Sequence, residues 1–170
     1  MESSSNIFLI GPMGTGKSTV GKKLAKKSSQ QFYDCDHEIE ERTGVKINLI
    51  FEIEGEAGFR KRESQLLDEL TSMLNIVLAT GGGAVLNEEN RERLTTRGFV
   101  VYLKSNIDQL LKRTSRDTKR PLLQNEDPEV VMKKLLDKRG PLYEELADLV
   151  IDTAGLSIND IITQIMSADK

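Results

Sequence analysis

The sequence predicts an α/β fold of three layers, α/β/α, in which helices cover both faces of a five-stranded parallel sheet. Short apolar runs alternate with longer segments of helical periodicity along the 170 residues, and a glycine-rich turn directly follows the first apolar run. This alternation is typical of parallel strands joined by right-handed helical crossovers. We expect a single domain over residues 1–170, because no repeat, linker or low-complexity tract divides the chain.

Each predicted strand is short and apolar, as strands buried on both faces are. The five lie at Ile7–Ile10, 32–33, Ile76–Ala79, 99–103 and 149–151. The segments between them have helical spacing of apolar residues, with Asn87 and Ser157 as predicted N-caps. The predicted helices cover 18–25, 38–74 with interruptions near Gly44, Gly55 and Gly58, 87–97, Ile107–Thr114, 128–138 before a break at Gly140 and Pro141, 142–147, and the terminal segment after residue 157.

Composition narrows the class of protein. The chain is 38% hydrophobic and 30% charged, has no long apolar run, and begins with a polar lead-in unlike a signal peptide, so we expect a cytoplasmic protein with no membrane segment. A net charge of −3 argues against general nucleic-acid binding. The single cysteine, Cys35, excludes an internal disulfide; it is either a reactive thiol or a small packed residue, and we favour packing. We expect a monomer.

Residues 11–18, G-P-M-G-T-G-K-S, fit the phosphate-binding pattern G-x-x-x-x-G-K-S/T at each fixed position. Glycines allow backbone N–H groups to approach phosphate oxygens, and a following helix N-terminus adds positive potential. Lys17 can place its ammonium between phosphates, and the Ser18 hydroxyl is a hard ligand suited to Mg²⁺. A chance match, or phosphate binding without catalysis, is the alternative. The flanking strand and helix favour a nucleotide site formed by Gly14, Thr15, Gly16, Lys17, Ser18 and Thr19.

Two further polar features follow predicted strands. Asp34 and Asp36 follow the second strand, and three glycines at 81–83 follow the third. Because ligands bind at the carboxyl edge of open α/β sheets, we expect these residues and the 11–18 loop to converge on one crevice. Asp34 and Asp36 alternate on a strand-like segment, so one can face a metal and the other an acceptor. They could equally be solvated turn carboxylates.

The segment 112–120 is rich in Lys and Arg, with one opposing acid, Asp117. Such a run is usually a solvated face, and contact with RNA is the sharper alternative. Neither explains why Arg120 is followed by the sequence P-L-L. Together with the polar residues that follow, the segment predicts a loop at about 115–126.

Six motifs give the chain a resemblance to the shikimate kinase family, small relatives of the nucleoside monophosphate kinases. They are G-P-M-G-T-G-K-S-T at 11–19, D-C-D at 34–36, G-F-R at 58–60, G-G-G at 81–83, R-P-L-L at 120–123 and R-G-P-L-Y at 139–143. One such motif would be weak evidence, but six in the family's order and spacing are specific. The resemblance covers essentially the whole chain.

The resemblance implies a P-loop kinase fold that transfers the γ-phosphoryl group of ATP to the 3-hydroxyl of shikimate, a step toward chorismate and the aromatic amino acids. It implies that a small helical region at about 36–62 binds the acceptor, and that Phe51 and Phe59 line it, although core packing would explain both rings. The implied acceptor ligands are Asp36, Arg60, Arg139 and a backbone N–H near Gly82. Paired guanidinium donors match a carboxylate. Without the resemblance, Arg60 would be read as a solvated helix charge.

On the nucleotide side, the resemblance implies that ATP is the co-substrate and that Mg²⁺ is held by Ser18 and Asp34. It also makes the loop at about 115–126 a lid, whose Arg120 reaches the phosphates when closed, with Arg113 near the adenine. Closure would exclude water and suppress hydrolysis. The residues expected to carry the chemistry are Lys17, Asp36 and Arg120. The loop at 152–155 is a further candidate neighbour of the adenine.

Two rival functions remain at this stage. A related small-molecule kinase acting on gluconate or a nucleotide would share the loop and the lid, but Arg60 with Arg139 favours a carboxylate acceptor. A GTPase-like switch or regulatory module would use the loop to bind a nucleotide as a signal rather than to transfer its phosphate. The chain contains no N-K-x-D guanine motif, and a lid favours transfer to a small acceptor. Shikimate and ATP are therefore the expected partners.

Overall fold

The computed structural model describes residues 6–114 and 127–169, and it confirms the predicted five-stranded parallel sheet. The strands stand in the order β2-β3-β1-β4-β5, so β1 is central. They are β1 Ile7–Ile10, β2 Gln31–Asp34, β3 Ile76–Ala79, β4 Phe99–Lys104 and β5 Leu149–Asp152.

Helices follow the strands and cover both faces of the sheet. In chain order they are α1 Lys17–Ser28, α2 Cys35–Thr43, α3 Ile47–Thr71, α4 Glu88–Arg97, α5 Ile107–Thr114, α6 Pro128–Leu146 and α7 Ile158–Ala168, with a short 3₁₀ helix at Ala84–Leu86. The predicted caps are confirmed: Asn87 accepts from the N–H of Glu89, and Ser157 forms a capping box with Asp160. Among the helices described, none is both long and apolar enough to cross a membrane.

Alternate residues of the central strand supply two separate apolar cores. Phe8 and Ile10 pack into the cluster that contains residues of α2, α3 and α6, whereas Ile7 and Leu9 pack with α1 and α7. All four side chains are buried. Burial on both faces explains why the strands read as continuous apolar runs, and it fixes the edge at which the loops emerge.

Two predicted helix interruptions are wrong, and two are confirmed. Gly44 ends α2 at φ 75°, and Gly55 bends α3 at φ 74°. Gly58, however, lies within the second half of α3, and α6 continues through Gly140 and Pro141. Proline removes one helical N–H donor. Tertiary packing overrides that local cost, because the buried residues Arg139, Tyr143 and Leu146 lie on both sides of the proline.

Candidate active site

The three features predicted to converge do lie at one edge of the sheet. The 11–18 loop follows β1, Asp34 ends β2, and the triple-glycine turn (residues 81–83) follows β3. Because the order is β2-β3-β1, these chain segments leave adjacent parallel strands in the same direction. The crevice between them is the candidate active site.

The loop has the backbone geometry of an anion-binding nest. Gly14 and Gly16 have φ of 85° and 89°, which glycine adopts without strain, and Gly16 is the N-cap of α1 but has no side chain to cap it. The Thr15 hydroxyl is buried and donates to the Pro12 carbonyl at 3.1 Å. Thr15 can therefore bind a nucleotide through its backbone N–H but not through its hydroxyl, because the hydroxyl already bonds a carbonyl within the loop.

Lys17 lies across this loop. Its Nζ donates to the carbonyls of Gly11 at 2.7 Å and Pro12 at 2.8 Å. The ammonium is thus held directly over the loop where the N-terminus of α1 adds positive potential. This position suits a cation that bridges phosphate oxygens.

Ser18 and Asp34 lie together, as the magnesium prediction requires. The Ser18 hydroxyl donates to Asp34 Oδ2, and Asp34 Oδ1 accepts from the N–H of His37 at 3.1 Å as the N-cap of α2. Within the described ranges, no group of three or more His, Cys, Asp or Glu side chains could hold a metal. A hydroxyl and one carboxylate nevertheless fit Mg²⁺, which keeps several waters and is completed by substrate phosphates.

Asp36 also faces the crevice, although the predicted strand-like alternation with Asp34 is wrong. The strand ends at Asp34, whose side chain caps a helix, so Asp36 lies in the first turn of α2. A Cβ on Gly81 would lie 3.2 Å from Asp36 Oδ1 and 2.8 Å from Glu63 Oε2. Both carboxylates therefore lie against the triple-glycine turn, while Cys35 between the aspartates is fully buried.

Arg60 lies over the far end of the same turn. A Cβ on Gly83 would come within 2.6 Å of its Cζ, so only glycine leaves room for this side chain in this position. Arg60 Nη1 pairs with Glu63 Oε1 at 2.9 Å, and the guanidinium carbon lies 5.2 Å from the centre of the Phe59 ring. The side chain is 21% exposed and directed inward, unlike a solvated helix charge.

Phe51 and Phe59 lie beside Arg60. Their ring centres are 4.8 Å apart, and Phe59 is buried while Phe51 is partly buried. Phe59 belongs to the larger apolar core and Phe51 packs against that core, so the structure supports the packing role that the sequence left open.

Arg139 approaches the turn from α6. The residue is only 6% exposed, and its Nη1 lies 3.5 Å from where a Cβ on Gly82 would be. Burial lowers the pKa of this guanidinium, and the nearby positive charge of Arg60 lowers it further, although Tyr143 opposes both effects. Its buried Nε has no hydrogen-bond partner among the described residues. A buried cation with a vacant donor is costly unless an anion joins it, so this is a place for a carboxylate.

The residues predicted to bind the acceptor and those predicted to bind the nucleotide share one wall of the crevice. The Cβ position of Gly82 lies 3.5 Å from Arg139 Nη1, 3.5 Å from the Met13 N atom and 3.6 Å from the Gly11 carbonyl oxygen. That same Gly11 carbonyl accepts from Lys17. The two arginines, Asp36 and Lys17 thus line one crevice rather than different sides of the molecule.

On the other side of the loop, a cavity of about 310 Å³ opens between α1, α7 and the segment after β5. Gly14, Gly16 and Thr19 line it, together with Thr153 and Leu156. The 152–155 loop proposed as an adenine neighbour therefore borders the phosphate loop. Arg120, the side chain of Arg113 and the predicted lid at 115–126 lie outside the described residues.

Sequence reasoning missed two residues at this site. Glu63, 1% exposed, pairs with Arg60 three residues earlier on α3, and the signal was its place on the same helix face as Leu66, Leu67 and Leu70. Tyr143 belongs to a recognised motif, but its hydroxyl donates to the Gly82 carbonyl at 2.6 Å. Its spacing of four residues from Arg139 places both on one face of α6.

A family model described as shikimate kinase matches residues 13–170. The chain belongs to the shikimate kinase family. A curated shikimate kinase from Legionella pneumophila (strain Corby) is 55% identical over 161 residues, covering 95% of this chain and 92% of its own length. One from Alteromonas mediterranea is 52% identical over 167 residues, covering 98% of both chains.

The fold agrees with that of solved members of the shikimate kinase family. The structure of shikimate kinase from Acinetobacter baumannii in complex with shikimate matches with a TM-score of 0.95 and 51% identity, covering 98% of this chain and 93% of that one. The predicted P-loop kinase fold is therefore confirmed along nearly the whole chain. The roles of the individual site residues rest on their geometry.

Proposed function

We propose that this protein is an ATP-dependent shikimate kinase, which transfers the γ-phosphoryl group of ATP to the 3-hydroxyl of shikimate and releases shikimate 3-phosphate and ADP. The observation that carries the proposal is the shared wall at Gly82, which lies between Arg139 on one side and the Gly11 carbonyl bonded to Lys17 on the other. Family membership supports the reaction, as does the related Acinetobacter structure, which contains shikimate.

The two arginines select and orient the acceptor. A planar guanidinium presents paired N–H donors that match a carboxylate, and Arg139 has a buried donor available for one. Glu63 fixes the direction of Arg60 through the 2.9 Å contact. Two such groups at the triple-glycine turn hold a ring acid by its carboxylate and leave its hydroxyls toward Asp36.

Phosphoryl transfer has a loose transition state, so alignment and neutralisation of charge lower most of its barrier. The loop N–H groups and Lys17 hold the phosphates, and Mg²⁺, when bound at Ser18 and Asp34, neutralises charge on the phosphate oxygens. Asp36 orients the acceptor hydroxyl first and accepts its proton late. Arg120 would reach the phosphates from the lid.

Several sequence-based assignments stay predictions within this proposal. They are Mg²⁺ as the metal, the acceptor region at about 36–62, the lid at 115–126, the contacts of Arg113 and Arg120, the cytoplasmic location and the monomeric state. The roles of the individual site residues, among them Asp36 and Arg60, belong with them.

The proposal is tested by measuring ADP release from ATP and Mg²⁺ with the purified protein, alone and with shikimate, quinate, gluconate or a nucleoside monophosphate. We expect shikimate to accelerate ADP release at least about 100-fold over the basal rate, because holding the two reactants in the correct geometry raises the rate by orders of magnitude. Slow hydrolysis that ignores every acceptor would instead indicate a nucleotide switch. Acceleration by gluconate or a nucleotide alone would identify a different small-molecule kinase.

A further inference from the structure

The hydroxyl of Tyr143 ties the triple-glycine turn to helix α6. Tyr143 has no exposed surface, and its Oη donates to the Gly82 carbonyl at 2.6 Å across 61 residues of sequence. Its ring packs on Tyr102 with centres 5.0 Å apart, which fixes the direction of the hydroxyl. The bond therefore joins two rigid parts of the protein.

The carbonyls of this turn differ in what holds them. The Gly81 carbonyl accepts from the N–H of Ala84, and the Gly83 carbonyl accepts from the N–H of Leu86, both within the 3₁₀ turn that follows. The Gly82 carbonyl instead accepts from Tyr143 on a distant helix. Because glycine tolerates many backbone conformations, a peptide between two glycines has no side chain of its own to fix its direction. Tyr143 supplies that constraint.

The constrained peptide supports both arginines of the acceptor site. Arg60 lies over Gly83, which shares the peptide bond with the Gly82 carbonyl, and Arg139 Nη1 lies beside Gly82. Arg139 also precedes Tyr143 by one helical turn, and its positive charge favours ionisation of the tyrosine. Burial has the larger and opposite effect and raises the pKa of Tyr143, so the hydroxyl keeps its proton and remains a donor.

We propose that Tyr143 is a positioning residue for phosphoryl transfer, acting through the Gly82 carbonyl to fix the turn against which the acceptor is held. Tyr143 itself does not touch the acceptor. The inference rests on the proposed function, because it assigns the turn to the acceptor site. Loss of the hydroxyl leaves a buried carbonyl without its donor and frees the turn to rotate.

The test is Tyr143→Phe, which removes the hydroxyl and keeps the ring. Tyr102→Phe is the matched control, because it removes the hydroxyl of the other buried tyrosine in the ring pair and leaves the hydrogen bond to the turn in place. We expect Tyr143→Phe to lower kcat/KM for shikimate about tenfold or more, the size expected for a buried carbonyl left unpaired, with KM for ATP within about twofold. Tyr102→Phe should change both constants less than about twofold.

A third variant separates positioning from folding. Replacing Tyr143 with 4-aminophenylalanine keeps the ring and an N–H donor, so it should retain activity within about threefold of the parent. Thermal midpoints of all variants are measured alongside. An unchanged kcat/KM in Tyr143→Phe, an equal loss in Tyr102→Phe, or a folded 4-aminophenylalanine variant as inactive as Tyr143→Phe would each overturn the proposal. The parent protein in the same assay tests the kinase function separately.

Discussion

Asp36 is the residue whose role is most directly testable. Its carboxylate lies against the triple-glycine turn on the acceptor side, while Lys17 holds the nucleotide side. Asp36→Asn keeps the shape of the side chain and removes the negative charge that we propose orients the acceptor hydroxyl and receives its proton. We expect kcat to fall by about 10² to 10⁴, the usual range for a positioned acid or base, with little change in ATP affinity. Turnover assays and calorimetric titration of ATP measure the two quantities.

The matched control for this prediction is Asp148→Asn. Asp148 is an exposed carboxylate just before β5, at the edge of the sheet away from the candidate site, and its Oδ2 accepts from the N–H of Val100 at 2.8 Å, a bond that the asparagine oxygen can keep. Its kcat should stay within about threefold of the parent, as for most surface substitutions. A parallel loss of turnover and ATP binding in Asp36→Asn would show that the residue serves the whole site rather than the acceptor.

Cys35 is predicted to be unreactive in the native protein. The side chain is fully buried, and burial raises the pKa of its thiol well above the ordinary value; the charges of Glu63 and Asp36 raise it further. Because the thiolate is the reactive form, we expect labelling by a disulfide reagent to be at least about 100-fold slower in the native protein than in denaturant. Rapid labelling of native protein at neutral pH would contradict this assignment.

The role of a site residue could be predicted from the sequence where a motif contains it. It was harder to predict where the role depends on tertiary contacts. Lys17, Ser18 and Asp34 lie where their spacing predicted. Glu63 and Tyr143 were missed, because a buried glutamate and a buried tyrosine look like any helical residue until the helix face is known. Glu63 pairs with Arg60, three residues earlier on the same helix. Tyr143 bonds the Gly82 carbonyl, in a turn 61 residues away along the chain.

At the scale of elements, glycines in α3 and α6 have opposite effects on stability. Gly55 has φ 74°, and Gly140 lies in an ordinary helical position; neither has an atom within 4 Å of its Cβ position. Gly55→Ala should cost about 1–3 kcal/mol, because φ 74° with ψ 179° is a backbone conformation confined essentially to glycine, whereas Gly140→Ala should stabilise by about 0.5–1 kcal/mol. Urea unfolding of both variants measures the difference, and shifts of the same sign would contradict it.

Local propensity predicted the elements well where it agreed with packing. The five strands were found because apolar runs buried on both faces have a simple pattern, and the caps at Asn87 and Ser157 follow from side-chain oxygens. The predicted helix break at Gly140 and Pro141 was wrong because local propensity and packing disagree there. Buried contacts of Arg139 and Tyr143 on that helix outweigh a missing N–H, and no local pattern reveals them.

At the scale of the whole molecule, two buried tyrosines should make the protein sensitive to alkali. Burial, followed by the charge of Glu144, raises the pKa of Tyr102 to about 12, and burial likewise raises that of Tyr143. Unfolded tyrosine has a pKa near 10, so above about pH 10 the unfolded state binds fewer protons than the native state. The stability that these groups contribute is complete below about pH 10 and is lost as pH rises through the folded pKa.

The measurement is the free energy of unfolding in urea between about pH 9 and 12, for the parent and for Tyr102→Phe. Each raised tyrosine contributes a slope of up to about −1.4 kcal/mol per pH unit in this window. The variant should therefore show a shallower decline than the parent. Parallel curves would show that Tyr102 ionises in the folded protein as readily as in the unfolded chain.

The fold class was predictable because alternating strands and helices with right-handed crossovers allow few architectures. The strand order was not, since the pattern of apolar residues is the same for every arrangement of five buried strands. That order, β2-β3-β1, is what places Asp34, the triple-glycine turn and the 11–18 loop side by side. The position of each feature after a predicted strand was enough to predict this convergence, and the strand order gives its physical basis.

The position of Gly82 between the two halves of the crevice has a thermodynamic consequence. A Cβ added to Gly82 would lie 3.5 Å from the Met13 N atom and 3.6 Å from the Gly11 carbonyl oxygen on one side, and 3.5 Å from Arg139 Nη1 on the other. A shift of this backbone when one substrate arrives is therefore transmitted to the place of the second. By linkage, any change that bound ATP makes in the affinity for the acid is matched by an equal change that the bound acid makes in the affinity for ATP.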